Sequence, residues 1–125
     1  MNFVSIAIGG AVGAIARYLV SRGINVSVNH PFPVGTLAVN ATGSLLIGIL
    51  FVLFDRTGAS QELRLLWITG FLGAYTTFSS YSLETARLLI EGKYSLAIAN
   101  FALNNALCLA CVFAGIALSR AIFKP

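Results

Sequence analysis

The sequence predicts an all-α integral membrane protein in which residues 1–125 form a single domain of four membrane-spanning helices. Hydrophobic residues make up 58% of the chain and charged residues only 10%, whereas a soluble domain carries roughly a quarter charged residues. The apolar residues are gathered into long runs, which excludes a small, loop-rich secreted fold. The net charge of +4 is spread over the ends of these runs, so no nucleic-acid-binding surface is predicted.

Four segments are long and apolar enough to cross a bilayer, which requires about 20 mainly apolar residues. The predicted spans cover residues 3–20, 34–54, 63–90 and 96–123. The connectors between them are short and hold the Pro, Asn, Asp and Gly typical of turns, at 21–33, 55–62 and 91–95. The N-terminal run has no basic residue before it, so we expect no signal peptide.

The third span differs from the others because it contains a polar interruption, Gly70–Glu84. This stretch has two glycines and, from Thr76 to Ser82, five serine and threonine residues. A helix that only faces lipid would consist of Leu, Ile and Val. Glycine and hydroxyl residues at membrane depth are tolerated where neighbouring helices satisfy the backbone, or where broken backbone lines a cavity.

The basic residues do not give the four spans a preferred orientation. One side of the membrane would hold Arg56, Arg64, Arg120 and Lys124, and the other Arg17, Arg22, Arg87 and Lys93. Either one or two of these charges determine insertion, or the chain inserts both ways and two copies pair antiparallel. We favour antiparallel pairing, because the weak bias removes the usual orienting signal. A homodimer is also expected, because four helices are too few to enclose a solvated path on all sides.

Small and polar residues recur at four-residue spacing in three of the spans. They are Gly9, Gly13 and Arg17 in the first, Thr36, Asn40, Ser44 and Gly48 in the second, and Asn100, Asn104 and Cys108, continued by Cys111 and Gly115, in the last. The glycines are typical of close helix packing, and each Asn either bonds a neighbouring helix or offers its donors to a passing solute. Arg17 either snorkels to the interface or faces a wet cavity. Three stripes together favour a shared polar interior.

The expected interior offers hydrogen-bond donors and no deeply placed acid. Glu84 is the nearest carboxylate and lies close to Arg87, with which it can pair at i+3. Proton-coupled carriers generally need a buried carboxylate or histidine relay, so proton antiport is not predicted. The donors are the amide of Asn40, the hydroxyls of Ser79 and Ser80, and the positive ring edges of Phe78 and Tyr81. Weak anion binding at several such groups is what conduction requires.

Three motifs, one in each of the first three spans, carry a family resemblance. They are GGxxGAxxRY at 9–18, GTLxxNxxG at 35–43 and GxxGxxTTFS at 70–79. Each is weak alone, but the three in this order are specific. The chain thereby resembles the CrcB-type (Fluc) fluoride channels over essentially its whole length.

The resemblance implies an antiparallel, dual-topology homodimer with two fluoride pores and a third span that breaks near mid-membrane. It also implies a sodium ion at the dimer centre, held by the backbone carbonyls of Gly73 and Thr76. Carbonyls that have lost their helical donors are suitable cation ligands at that depth.

By motif position, the fluoride pathway would include Asn40, Phe78, Ser79, Ser80 and Tyr81, with Arg17 at its aqueous vestibule. The second ring in this family is usually phenylalanine. Tyr81 keeps a polarised edge and adds a hydroxyl, so we expect conduction to survive the replacement. Cys108 stands where a hydroxyl residue is common.

The function predicted from these residues is passive, selective export of fluoride across a bacterial plasma membrane. The alternative is a small four-helix, dual-topology multidrug exporter, a class that calls for a mid-span glutamate in the first helix. Residues 3–20 contain no glutamate. A structural membrane subunit is a third, weaker interpretation, and an enzyme is not predicted because the sequence offers no nucleophile–base pair.

Overall fold

The computed structural model describes residues 2–123, all of them in helices or short turns. The first two helices are α1 (Asn2–Val28) and α2 (Val34–Thr57). The next stretch consists of α3 (Gln61–Arg64), a first π-helical segment (Leu65–Leu72), α4 (Gly73–Tyr75) and α5 (Phe78–Ile90). The last consists of α6 (Tyr94–Ala102), a second π-helical segment (Leu103–Leu107) and α7 (Cys108–Ile122). Lys124, one of the charges compared above, lies outside the described residues.

Three of these helices are long and apolar enough to cross a membrane: Asn2–Val28, Val34–Thr57 and the continuous helix Tyr94–Ile122. The prediction of an all-helical chain with membrane-spanning helices is therefore confirmed. The stretch between α2 and α6 is not one long helix, because it is interrupted between Tyr75 and Phe78.

The first helix is longer than predicted. The connector expected at 21–33 is wrong over residues 21–28, which continue α1. The helix ends where Asn29 adopts a left-handed conformation (φ 45°), and Pro31 and Pro33 prevent its continuation because proline lacks an N–H donor. The apolar run therefore ends well before the helix does.

The helices pack in pairs. Helix α2 lies along α7, α1 lies along the first π-helical segment and α4, and α5 lies against α6. The α1 contact is very close, since a β-carbon on Gly9 or Gly13 would overlap the carbonyl oxygen of Leu66 or Phe71. This backbone-to-backbone packing fixes the helix that precedes the interruption, and so positions the residues that follow.

Candidate functional site

The site is organised around the interruption at Thr76 and Thr77. Both residues are extended, with φ −83° and ψ 157° for Thr76 and φ −148° and ψ 115° for Thr77. Helix α5 begins immediately afterwards, because the Thr77 hydroxyl accepts the N–H of Ser80 at 3.2 Å and caps the new helix. The break is therefore short and has a defined geometry.

The side chain of Asn40, on α2, satisfies both backbone groups of Thr77. Its Oδ1 accepts the Thr77 N–H at 2.7 Å, and its Nδ2 donates to the Thr77 carbonyl at 3.1 Å. In a continuous helix, the N–H groups of Thr77 and Ser80 would donate to the carbonyls of Gly73 and Thr76. Here they donate to Asn40 and to the Thr77 hydroxyl instead.

Asn40 also begins a chain of hydrogen-bonded amides, which we call the amide ladder (Asn40, Asn104 and Asn100). Asn40 Nδ2 donates to Asn104 Oδ1 at 2.9 Å, and Asn104 Nδ2 donates to Asn100 Oδ1 at 2.8 Å. Asn100 Nδ2 then donates to the hydroxyl of Thr85 on α5 at 2.9 Å. Each amide donates to the next, so the ladder is polarised in one direction and both N–H donors of Asn40 are occupied.

A cavity of about 320 Å³, the larger cavity, lies beside the break. The polar and aromatic residues that line it are Asn40, Ser44, Thr76, Thr77, Phe78, Tyr81, Asn104, Asn105 and Cys108, and Gly73 is also in its wall. None of its lining residues, all of which belong to the described part of the chain, carries a formal charge. An ion here would meet amides, hydroxyls and ring edges only.

Two aromatic rings meet at the wall of the larger cavity. The rings of Phe78 and Tyr81 are 5.3 Å apart between centroids and inclined at 71°, an edge-to-face arrangement. Tyr81 is buried, with 6% of its surface exposed, whereas Phe78 is 76% exposed within the single chain. The two ring positions are therefore not equivalent.

A smaller cavity of about 250 Å³ lies on the other side of Thr77, which lines both. It contains Arg17, Ser80 and the carboxylate of Glu84. One carboxylate oxygen of Glu84 accepts the hydroxyl of Thr36 at 2.7 Å, while the other is buried and has no hydrogen-bond partner within residues 2–123. Unlike the larger cavity, this one holds both a positive and a negative side chain.

The comparison with protein families matches residues 4–116 to the model described as "CrcB-like protein, Camphor Resistance (CrcB)". The chain belongs to the CrcB family. It is 42% identical over 123 residues to a protein of Magnetococcus marinus named fluoride-specific ion channel FluC, covering 98% of this chain and all of that one. Two relatives with the same name, from Coxiella burnetii and Methylococcus capsulatus, are 45% and 46% identical and cover 96% of this chain. The chain spans 98% of the Coxiella relative and 53% of the Methylococcus relative.

These matches confirm the family resemblance found in the sequence. A CrcB-family chain with several helices able to cross a bilayer is a multi-pass bacterial membrane protein. Names that describe an ion channel also place the family among transporters rather than enzymes.

The residues that the CrcB motifs single out are divided between the two cavities. The larger cavity receives Asn40, Gly73, Thr76, Phe78 and Tyr81, and the smaller receives Arg17 and Ser80. Ser79 is exposed and lines neither, although its hydroxyl lies 3.4 Å from that of Thr77. Of the two neighbouring serines, only Ser80 therefore faces a cavity.

One contact that the sequence allows is not formed. Glu84 forms no ion pair with Arg87, since the ion pairs among the described residues join Arg64 to Asp55 and Lys93 to Glu91. Arg87 is exposed, while Glu84 turns toward α2 to reach Thr36. The i+3 spacing permits the pair, but the buried hydroxyl determines where the carboxylate points.

Sequence reasoning missed three features of this CrcB site. Thr77 was not expected to anchor the break, although it lies in the third motif. The sequence did contain a signal for the Thr36–Glu84 contact. Thr36 lies one helical turn before Asn40, and Glu84 lies one turn after Ser80, so both are next to predicted pathway residues. No such signal pointed to Asn105, because it lies beside the stripe of Asn100, Asn104 and Cys108 and does not belong to it.

Proposed function

We propose that this chain forms a fluoride-selective channel that lets fluoride leave the cytoplasm passively through two pores per dimer. Its relatives at more than 40% identity are named for this activity. The observation that carries the proposal is the larger cavity at the helix break, which is lined by donors and ring edges and has no charged lining residue. Such a site binds a small anion weakly enough to release it.

The pathway begins at the smaller cavity, where Arg17 acts as the vestibule cation. Its guanidinium raises the local concentration of anions. The hydroxyls of Ser80 and Thr77 then replace part of the hydration shell of the ion. Because Thr77 lines both cavities, it marks the point where an anion passes from the charged vestibule to the uncharged larger cavity.

In the larger cavity, fluoride meets Asn40 and the edges of Phe78 and Tyr81. Both N–H donors of Asn40 are engaged in the resting arrangement. Fluoride therefore reaches the amide by replacing Asn104 Oδ1 as acceptor, while the bond to Thr77 keeps the break in place. The charge-assisted hydrogen bond to fluoride offsets the loss of the neutral bond between Asn40 and Asn104.

The dimer consists of two four-span chains in antiparallel orientation. Residues 61–90 form the third span, and its interruption is permissible at membrane depth only where it is covered by protein or lines a water-filled path. Phe78, 76% exposed beside the break, supplies a surface for the second copy to cover. The equal distribution of basic residues over both sides of the membrane supports dual topology.

A sodium ion at the dimer centre is a further part of the proposal. The carbonyls of Gly73 and Thr76 fit this role, because the N–H groups that would occupy them in a helix donate elsewhere. Both residues lie in the wall of the larger cavity. Unwound carbonyls are the ligands that broken membrane helices offer to sodium, and the ion would hold the two breaks together.

A fluoride-electrode assay on liposomes containing the purified protein tests the function. With a potassium gradient and valinomycin to balance charge, we expect rapid fluoride efflux and no chloride efflux above that of empty liposomes. Equal rates for the two halides would reject a selective channel. Export of an organic cation without fluoride flux would instead support the multidrug exporter.

Replacing Phe78 by isoleucine tests the ring contact. Phe78→Ile keeps an apolar side chain but removes the polarised edge, so we expect fluoride flux to fall to the level of empty liposomes. The matched control is Phe113→Ile, because Phe113 is similarly exposed (63%) but lines neither cavity. Size-exclusion chromatography should give dimers for both variants. Unchanged flux in Phe78→Ile would remove the ring from the mechanism.

A further inference from the structure

The hydroxyl of Tyr81 is held by an amide of the cavity wall to which the pathway above assigns no role. Asn105 Nδ2 donates to the Tyr81 hydroxyl oxygen at 3.1 Å, and the same nitrogen donates to the carbonyl of Phe101 at 2.7 Å. The second bond ties the amide to the backbone one helical turn earlier. Asn105 therefore has a fixed orientation, and so has the buried ring whose oxygen it contacts.

The donor and acceptor roles in this contact can be assigned without ambiguity. An amide NH₂ group has two hydrogens and cannot accept, and here one goes to Phe101 and the other to Tyr81. The Tyr81 oxygen is consequently the acceptor, and its own hydrogen is left free. Among the described residues, no acceptor lies within hydrogen-bond distance of this hydroxyl. Tyr81 and Asn105 both line the larger cavity.

We propose that Asn105 is a positioning residue that directs the free Tyr81 O–H into the larger cavity as an anion donor. This inference rests on the proposed function and adds one specific anion-binding group to it, the Tyr81 hydroxyl, which we call the hydroxyl station. An O–H group donates a short, charge-assisted hydrogen bond to a compact anion, which is a stronger contact than a ring edge offers. Asn105 acts by donating to the Tyr81 oxygen, which leaves the O–H hydrogen available to an anion in the cavity.

The pair Tyr81→Phe and Tyr94→Phe provides a matched test. Each removes one tyrosine hydroxyl, but Tyr94 is 64% exposed at the start of α6 and lines neither cavity. In liposomes, the fluoride concentration that gives half-maximal flux should rise about tenfold in Tyr81→Phe, as expected for the loss of one hydrogen bond to a charged group. It should not change in Tyr94→Phe.

A double variant tests whether Asn105 acts through the hydroxyl. Asn105→Ala alone should raise the half-maximal fluoride concentration, because the released phenol can rotate its hydrogen away from the cavity. In a Tyr81→Phe background the same substitution should have no further effect, since no hydroxyl remains to be positioned. A purely structural role for Asn105 would lower function equally in both backgrounds, and that result would overturn the inference.

Failure of the inference can be distinguished from failure of the proposed function. If the unmodified protein conducts no fluoride, the channel itself is rejected. If it conducts and Tyr81→Phe has the same half-maximal concentration, the hydroxyl station is rejected while the channel stands. Calorimetric titration of fluoride into the detergent-solubilised variants gives a second readout that needs no flux, and an unchanged affinity in Tyr81→Phe would also reject the station.

Discussion

The same two helices, α2 and the helix Tyr94–Ile122, meet in two different ways along their length. In one half, Asn40 of α2 reaches Asn104 and Asn100 through the amide ladder, beside a cavity of about 320 Å³. In the other half, Gly48 and Gly115 bring the two backbones into direct contact, with no room for a β-carbon on either glycine. We refer to these as the polar half and the glycine half.

The difference shows how one pair of helices can use one half of its length for helix association and the other half for the ion path. Helices in lipid gain little from burying apolar surface and associate through close packing and hydrogen bonds. The glycine half provides the close packing. The polar half uses side-chain amides that are longer than glycine, so the helices leave space between them and the walls of that space are hydrogen-bonding groups. Flux should therefore depend on the polar half and stability on both.

The largest effect is expected at Asn40, where the polar half is attached to the helix break. Asn40→Leu leaves both the N–H and the carbonyl of Thr77 without their partner, at a cost of roughly 1–3 kcal/mol for each buried group. We expect fluoride flux to be abolished and the thermal unfolding midpoint to fall. Flux assays and thermal unfolding on the same preparation measure both.

The control for this variant is Thr57→Val, which removes a polar group from the exposed end of the same helix. Its flux and unfolding midpoint should equal those of the unmodified protein. If Asn40→Leu conducted fluoride normally, the break would not depend on the amide, and the distinction between the two halves would lose its functional meaning.

The comparison also explains how much the sequence could predict. The i+4 stripe from Thr36 through Asn40 to Gly48 identified one face of α2 correctly, because helical periodicity places such residues in a row. It did not divide the stripe into a polar half and a glycine half. That division depends on which residues of the facing helix lie opposite each position of α2. Periodicity within one helix gives no information about them.

Long-range contacts were the least predictable part of the site. The stretch Gly70–Glu84 indicated either a break or neighbours that satisfy its backbone, and the structure combines the two, since Asn40 satisfies Thr77 at the break. Local spacing offered Arg87 as a partner for Glu84, but the hydrogen-bond partner of Glu84 lies far away in sequence, at Thr36. No pattern in the sequence indicated Asn105, because the role proposed for it depends on the position of Tyr81, which lies on a different helix.

A smaller effect, on stability alone, is expected in the glycine half. A β-carbon on Gly48 would overlap the carbonyl oxygen of Val112, so Gly48→Ala must push α2 and α7 apart. Overpacking of this kind typically costs about 1–3 kcal/mol. The unfolding midpoint should fall, while fluoride flux per folded protein should stay close to that of the unmodified chain.

Gly23→Ala is the matched control, since a β-carbon on Gly23 of α1 would have no neighbour within 4 Å. There the same substitution should be neutral or slightly stabilising, by about 0.5–1 kcal/mol, because alanine is the better helix former. Loss of fluoride selectivity in Gly48→Ala would contradict the separation of roles, because it would show that spacing in the glycine half sets the dimensions of the path.

The smallest effect is expected outside both halves, at the turn between α5 and α6. Lys93 Nζ lies 2.7 Å from a carboxylate oxygen of Glu91, and this hydrogen bond and the charge of Lys93 lower the pKa of Glu91. A lowered folded-state pKa contributes stability above the unfolded pKa, and this stability is lost as the pH falls through the folded-state pKa. Both groups are exposed, so solvent screens the pair.

Glu91→Gln should therefore leave the unfolding midpoint nearly unchanged at pH 7, and any small difference should vanish in acid. Thermal unfolding between pH 3 and pH 7, with Gly48→Ala measured in parallel, compares the two sites directly. A loss in Glu91→Gln as large as that in Gly48→Ala would mean that the connector, rather than the glycine contact, keeps the helices together. The division of α2 into two halves would then no longer account for the stability of the protein.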